Sequence, residues 1–194
     1  MIAGLFVLSS CKGKLGKADH VDIESVPLQT VRNMFVVDTE NGLLKMRMEG
    51  GLMQRFETDT STYESFPEGF SVFVYDEDGE LETTIQSKRA RHTTPKKNGH
   101  EVWLVCGDVR VENIEKREVM ESDTLYWDRT RELIWTDCYV KIYSPDGFMQ
   151  GYGMESDQRA RNTLIKRPFN SYAFTEGEEQ QVDSVNLIGP VFHP

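Results

Sequence analysis

Long apolar runs are missing from this 194-residue chain, and with them any segment approaching the roughly 18 apolar residues that a membrane-spanning helix requires. Basic charge is also scarce. The 22 Lys and Arg are outnumbered by 32 Asp and Glu, a net charge of −10. That balance excludes a nucleic-acid binder, which needs a basic face, and a polybasic membrane-surface binder. An anionic amphiphile would have to be held through its apolar part. Metal ligands are few: His20, His92, His100 and His193 are scattered without ligand spacing, so no metal is expected. No Gly-rich phosphate loop, Gly-x-Ser-x-Gly elbow or zinc-protease helix occurs, so neither catalysis nor a cofactor is expected. Asp76-x-Asp78-Gly79 carries only part of a calcium-loop pattern and reads as a hairpin turn.

What is present is a low hydrophobic fraction, 38%, beside 10% aromatic residues, a combination that favours many short amphipathic strands over a thick helical core. The N-terminus opens with a short apolar run, Ile2 to Leu8, followed by Ser9-Ser10-Cys11. This reads as the end of a bacterial lipoprotein signal, with residues 1–10 removed and Cys11 lipidated. The basic n-region is missing, which suggests a truncated signal. Residues 11–26 then read as a lipidated tether, 27–174 as the folded body and 175–194 as an acidic flexible tail. Cys106 and Cys138 fall on opposite faces by register, so no disulfide is expected between them.

The body is strand after strand. Ser71 to Tyr75, Val109 to Val111, Leu133 to Trp135 and Val140 to Ile142 are β-branched or aromatic runs with a period of two. Turn signals separate them at Asp76 to Gly79, Lys97 to Gly99, Asp128 to Arg131 and Pro145 to Gly147. Met120-Glu121-Ser122-Asp123 recurs as Met154-Glu155-Ser156-Asp157, and Ile85-Gln86-Ser87-Lys88 stands a similar distance upstream. A turn and a second strand follow each copy: Val102 to Glu112, Leu133 to Tyr143 and Leu164 to Phe174. Such strand-turn-strand units cannot cover their own apolar faces and must stack on one another. Alternation puts Trp103, Val105, Gly107, Val109 and Val111 on one face, and Ile134, Thr136, Cys138, Val140 and Ile142 on one face of the next unit. The inner surface is then either a packed core or a trough for a lipid. Lys88 to His92, with Lys96 and Lys97, is the one basic concentration and reads chiefly as a solvated edge strand, protected by charge.

Three stretches together resemble the LptC family. They are Val102 to Val111, with its Gly-polar-Val element at Gly107-Asp108-Val109, then Glu121 to Trp127, then Gly147 to Asp157 with its repeated glycines. The resemblance covers roughly 60–174. It implies an all-β, open V-shaped jellyroll of stacked antiparallel units, non-catalytic, in the periplasm at the inner membrane. Such a protein takes lipopolysaccharide from an ABC transporter and passes it to an OstA-like bridge protein by edge-strand addition. Better-known members carry a transmembrane anchor, whereas this chain points to Cys11.

By position, the resemblance assigns Gly107 and the strand Asn170, Ser171, Tyr172, Ala173 and Phe174 to the downstream partner. It assigns the strand Met34, Phe35, Val36, Val37 and Asp38 to the transporter. The trough would be lined by Trp103, Val105, Val109, Val111, Leu125, Trp127, Val140, Ile142 and Phe148. The competing reading is an exported β-repeat lipoprotein that binds proteins and never lipid.

Overall fold

A computed structural model describes residues 26–97, 100–175 and 178–182, so Cys11 and the signal segment lie outside the described residues. Thirteen strands follow one another: β1 Gln29–Glu40, β2 Leu43–Glu57, β3 Ser61–Phe66, β4 Phe70–Tyr75, β5 Leu81–Ser87, β6 Arg89–Pro95, β7 Val102–Asn113, β8 Glu118–Asp128, β9 Leu133–Ser144, β10 Gly147–Asp157, β11 Leu164–Pro168, β12 Ser171–Thr175 and β13 Glu178–Val182. There is no helix among the described residues. All pairings are antiparallel, in the order β13-β12-β10-β9-β8-β7-β5-β4-β2, with β1 outside β2. The predicted turns explain much of this. Between β4 and β5, for example, Asp76 Oδ1 accepts from the N–H groups of Asp78 and Glu80 at 2.9 and 2.8 Å, so the carboxylate closes a hairpin.

The sheet bends along one crease. Residues 46–50 of β2 pair with β4 and residues 54–57 with β3. Residues 102–106 of β7 likewise pair with β6 and residues 110–113 with β5. The rungs β3/β4 and β5/β6 are thus single lines interrupted at Pro67–Gly69 and at Lys88. At the same level β7 bulges between Cys106 and Val109, β8 shifts register between Ser122 and Tyr126, and β10 shifts between Tyr152 and Met154. Gly107 and Asp108 make the β7 bulge with φ of 80° and 49°, the left-handed region open to Gly and tolerated by Asp. The result is two leaves folded toward each other, the jellyroll expected.

Apolar residues of both leaves meet in one core. Phe66, Ala90, Trp103, Val105, Leu125, Trp127, Ile134 and Met154 come from one leaf, and Met46, Phe70, Val72, Ile85, Val109, Val111, Met120, Val140 and Ile142 from the other.

Four expectations are corrected. The basic run is not an edge: β6 is paired on both sides, with β3 and with β7. Its charges are placed individually, Lys88 on Asp108 at 2.5 Å and Arg91 over the Tyr63 ring at 4.1 Å. The Met-Glu-Ser-Asp copies are not equivalent, because the first opens β8 and the second closes β10, in opposite leaves. The hairpins β6–β7, β8–β9 and β10–β11 do stack, but the third second-strand breaks at Phe169-Asn170, with Asn170 at φ 44°. Finally, the stretch beginning at 175 is not all tail, since Glu178–Val182 forms β13 along β12.

Candidate functional site

Eight of the nine proposed trough residues come together. Trp103, Val105, Val109, Val111, Leu125, Trp127, Val140 and Ile142 are each no more than 5% exposed and pack as core. The space left among Val111, Met120, Ile134, Ile142 and Met154 is a void of about 10 Å³, at most one water's worth. The trough is therefore closed in this structure.

Phe148 is not part of it. Its neighbours in β10, Met149 and Gly151, oppose Ile142 and Val140 and so take the inward parity. Phe148 faces outward, its ring 5.1 Å from Tyr143 and 5.8 Å from Tyr172. The register shift near Gly153 reverses parity between the halves of β10, which simple alternation does not foresee. Met149, 42% exposed, stands at the inner margin instead and was missed. Opposition to Ile142 is the signal that finds it.

Trp103 is the hub of the aromatic core. Its ring lies 5.7 Å from Phe66, 5.0 Å from Phe70, 6.0 Å from Trp127 and 4.4 Å from His92, which stacks on it. His92 Nδ1 meets Glu64 Oε2 at 2.7 Å. That hydrogen bond, outweighing the opposing effect of partial burial, holds the Glu64 carboxyl below the usual carboxylate range.

The two ends of the sheet differ. β1 pairs with β2 alone. It displays Phe35 at 61% exposure with Val36 and Val37 also exposed, while Met34 packs on the core and Asp38 Oδ2 meets Arg129 Nη2 at 3.2 Å. At the far end β12 joins β10 through only two residue pairs, Gly147 with Ala173 and Phe148 with Tyr172. Ser171 is buried and its hydroxyl accepts from the Gln150 N–H at 3.1 Å. Tyr172 and Phe174 are exposed. Because β13 covers the outer side of β12, the open backbone at this end belongs to β13 and to β11, which pairs with β10, and not to residues 170–174. Gly107 belongs to neither end. It lies mid-sheet at the crease, where a Cβ would come within 3.2 Å of Lys88 Cβ, so its role is in the bend. Cys106 and Cys138 flank this crease as free, half-buried thiols.

A strap of chain between β10 and β11 covers one margin of the interior. Asp157 organises it. Burial pushes this carboxyl upward, but the N–H groups of Arg161 and Arg159 and the Asn162 amide, at 3.1, 2.9 and 2.8 Å, outweigh that and hold it below its ordinary range. Ala160, at φ 54°, packs inward against the core. Among the described residues no group of three or more His, Cys, Asp or Glu is placed to hold a metal ion.

The family model described as lipopolysaccharide-assembly, LptC-related, matches residues 2–170. The chain belongs to the LptC family. No curated protein matches the chain. Proteins of the LptC family are non-enzymatic components of the lipopolysaccharide transport bridge on the periplasmic side of the inner membrane, and membership gives this LptC-related chain a role in that bridge. The two-leaved β-jellyroll is the body expected of that family, with its apolar interior between two unlike sheet ends.

Proposed function

We propose that the chain accepts lipopolysaccharide from an inner-membrane ABC transporter at its β1 end. It shelters the acyl chains between the leaves and passes the lipid to an OstA-like bridge protein at the β12–β13 end. The observation that carries this reading is a continuous apolar interior inside a sheet whose two ends, β1 and β12–β13, do not pair with each other among the described residues.

Energetics favour such a carrier. Exposing an acyl chain costs about 0.8 kcal/mol per methylene, on the order of 10 kcal/mol for a dozen carbons. Lining residues such as Val109 and Val140 replace that water contact with hydrocarbon. Because the interior is packed shut, the leaves part about the crease when a lipid enters, and the Gly107–Asp108 bulge and the interruptions at Pro67–Gly69 and Lys88 are the flexing points. The exposed edge of β1 suits backbone pairing with a transporter strand, and β13 suits pairing with the next bridge protein. Residues 1–10 act as the lipoprotein signal, Cys11 as the lipidated residue and 11–26 as the tether to the inner membrane, with multiple acyl chains making the anchoring durable.

Photo-crosslinking tests the interior. A photoreactive residue at Val109 or Val140 is expected to capture lipopolysaccharide in cells, whereas one at Lys141, on the outer face beside Tyr139, is expected to capture none. Equal capture from all three positions rejects an interior lipid site and favours the scaffold reading. For the anchor, Cys11→Ala is expected to move the protein from the membrane pellet to the soluble periplasmic fraction. Unchanged pelleting would rule out lipidation at Cys11 as the sole attachment.

A further inference from the structure

The strap over residues 157–163 is fastened almost entirely by polar contacts. Thr83 Oγ1 and Asn113 Nδ2 both donate to the carbonyl of Arg159, each at 2.9 Å. Lys116 Nζ donates to the Arg161 carbonyl, and Trp127 Nε1 donates to Gln158 Oε1 at 3.3 Å. Two guanidiniums converge on one carboxylate: Arg159 Nη1 and Arg161 Nε each stand 3.3 Å from an oxygen of Glu82. Glu82 is 6% exposed, and its Oε2 makes no hydrogen bond despite the ion pair. A buried carboxylate held by charge without its full set of hydrogen bonds contributes little to stability. Such a fastening is suited to release provided that the departing strap lets water reach Glu82, since a carboxylate left buried and unpaired is strongly destabilising.

What lies on either side of the strap gives it a use. Beneath it is the apolar interior, with Ala160 and Thr163 bordering the void between the leaves. Outside it are two clefts of about 590 and 450 Å³ that share Lys116, Arg161 and Asn162. Ile142, Met149 and Leu164 extend apolar surface from the interior into the second cleft. Arg161 borders the second cleft beside that apolar margin, and Arg159 borders the first, a polar cleft that also carries Glu115, Glu132 and Asp157. Two guanidiniums next to an apolar margin match an amphiphile with phosphate on one end and acyl chains on the other, because guanidinium binds phosphate through paired N–H donors.

Resting on the lipid-carrier reading above, we propose that the strap is a latch whose Glu82 carboxylate fills, as an internal anion, the place taken by a phosphate of the bound glycolipid. When the strap opens, Arg159 and Arg161 leave Glu82 and grip that phosphate, while the acyl chains enter between the leaves. Opening and recognition are then one event. Apparent affinity rises with the fraction of molecules whose strap is free.

The test uses the full-length protein and two probes, bisphosphorylated lipid A and the same lipid dephosphorylated, with binding measured for each. Glu82→Gln removes the competing anion and is expected to tighten binding of the phosphorylated lipid about tenfold, the worth of one charge-assisted contact. In Arg159→Gln/Arg161→Gln, the preference for phosphorylated over dephosphorylated lipid is expected to fall about tenfold. Thr83→Val loosens the strap without altering charge and is expected to improve binding of both lipids equally, a readout that survives should Glu82→Gln fail to fold. If the wild-type protein binds lipid and none of these variants changes affinity or preference, the latch is overturned and the carrier reading stands. If the wild type binds neither lipid, both fall together.

Discussion

Replacing Trp103 with alanine lowers the stability of the fold by about 4 kcal/mol, the cost of truncating a buried aromatic whose neighbours cannot collapse into the space. The indole is 5% exposed in the middle of β7. It contacts Phe66 at the end of β3 and Phe70 at the start of β4, the two residues that flank the break in that rung. It therefore joins the leaves at the crease as well as filling the core. For a chain of this size the midpoint of thermal unfolding is expected to drop by about 8–16 °C. Trp135 supplies the control. It stacks on Tyr126 at 5.4 Å on the opposite side of the sheet and is only half-buried, so Trp135→Ala is expected to cost much less. Trp127→Ala shares the Trp103 cluster at 6.0 Å, and the double variant Trp103→Ala/Trp127→Ala should fall short of the sum of its parts. Equal losses from Trp103→Ala and Trp135→Ala in near-ultraviolet circular dichroism melts would show that Trp103 is not the hub of the core.

Most of that core was legible in the sequence, and the reason is physical. In a half-buried strand a period of two carries the face assignment, and Trp103, Val105, Val109 and Val111 fall on the buried side as alternation requires. The face survives the crease in β7 because two residues, Gly107 and Asp108, occupy the bulge. In β10 the shift at Gly153 alters parity, so Phe148 emerges outside and Met149 inside. A parity change of this kind turns on a single extra residue with no compositional signature beyond a glycine, and this chain has 15 glycines.

The basic run misled for a related reason. Charge on a strand marks a solvated face as readily as a free edge. β6 exposes Arg89 and Arg91 on one face and buries Ala90 on the other, yet is paired on either side. The Met-Glu-Ser-Asp repeat misled because Met and Ser occupy inward positions in both β8 and β10, a shared burial pattern without equivalent places in the sheet. The acidic composition after Thr175 concealed β13, whose pairing is made by backbone groups and is therefore independent of side-chain hydrophobicity. The strap and its arginines left no mark in the sequence, because Glu82 and Arg159 meet only through the fold. The proposed latch also qualifies the inference from net charge: the protein is acidic as a whole, and the phosphate contact proposed for Arg159 and Arg161 is local.

Gly147→Val is expected to release the C-terminal end of the sheet while leaving the core folded. Gly147 has φ 147°, inside the region that β-branched residues avoid. A Cβ there would run into the Tyr172 carbonyl oxygen and lie 2.7 Å from Ala173 Cα. Neither obstacle is a flexible side chain, so the strand itself must move. β12 hangs from β10 by the pairs Gly147–Ala173 and Phe148–Tyr172, a backbone bond from Phe174 N–H to the Asp146 carbonyl at 2.6 Å, and the Gln150 N–H donated to Ser171 Oγ at 3.1 Å. Losing the first pair removes the outer half of that attachment, and β13, which pairs only with β12, goes with it. Native-state hydrogen exchange should show residues 171–175 and 178–182 losing protection by about a hundredfold, the equivalent of about 3 kcal/mol of local stability. Protection in β7 and β8, which do not touch the site, should hold, while in β9 only the end at Tyr143 and Ser144, which pairs with Phe148 and Gly147, is expected to weaken. Under the proposed function this variant still binds lipid at its interior but no longer captures the downstream bridge protein, because the strand offered for pairing is gone. Unaltered exchange over 171–182 would mean that Gly147 is not the pin of this end. Loss of lipid binding together with partner binding would mean that the two ends and the interior do not act separately.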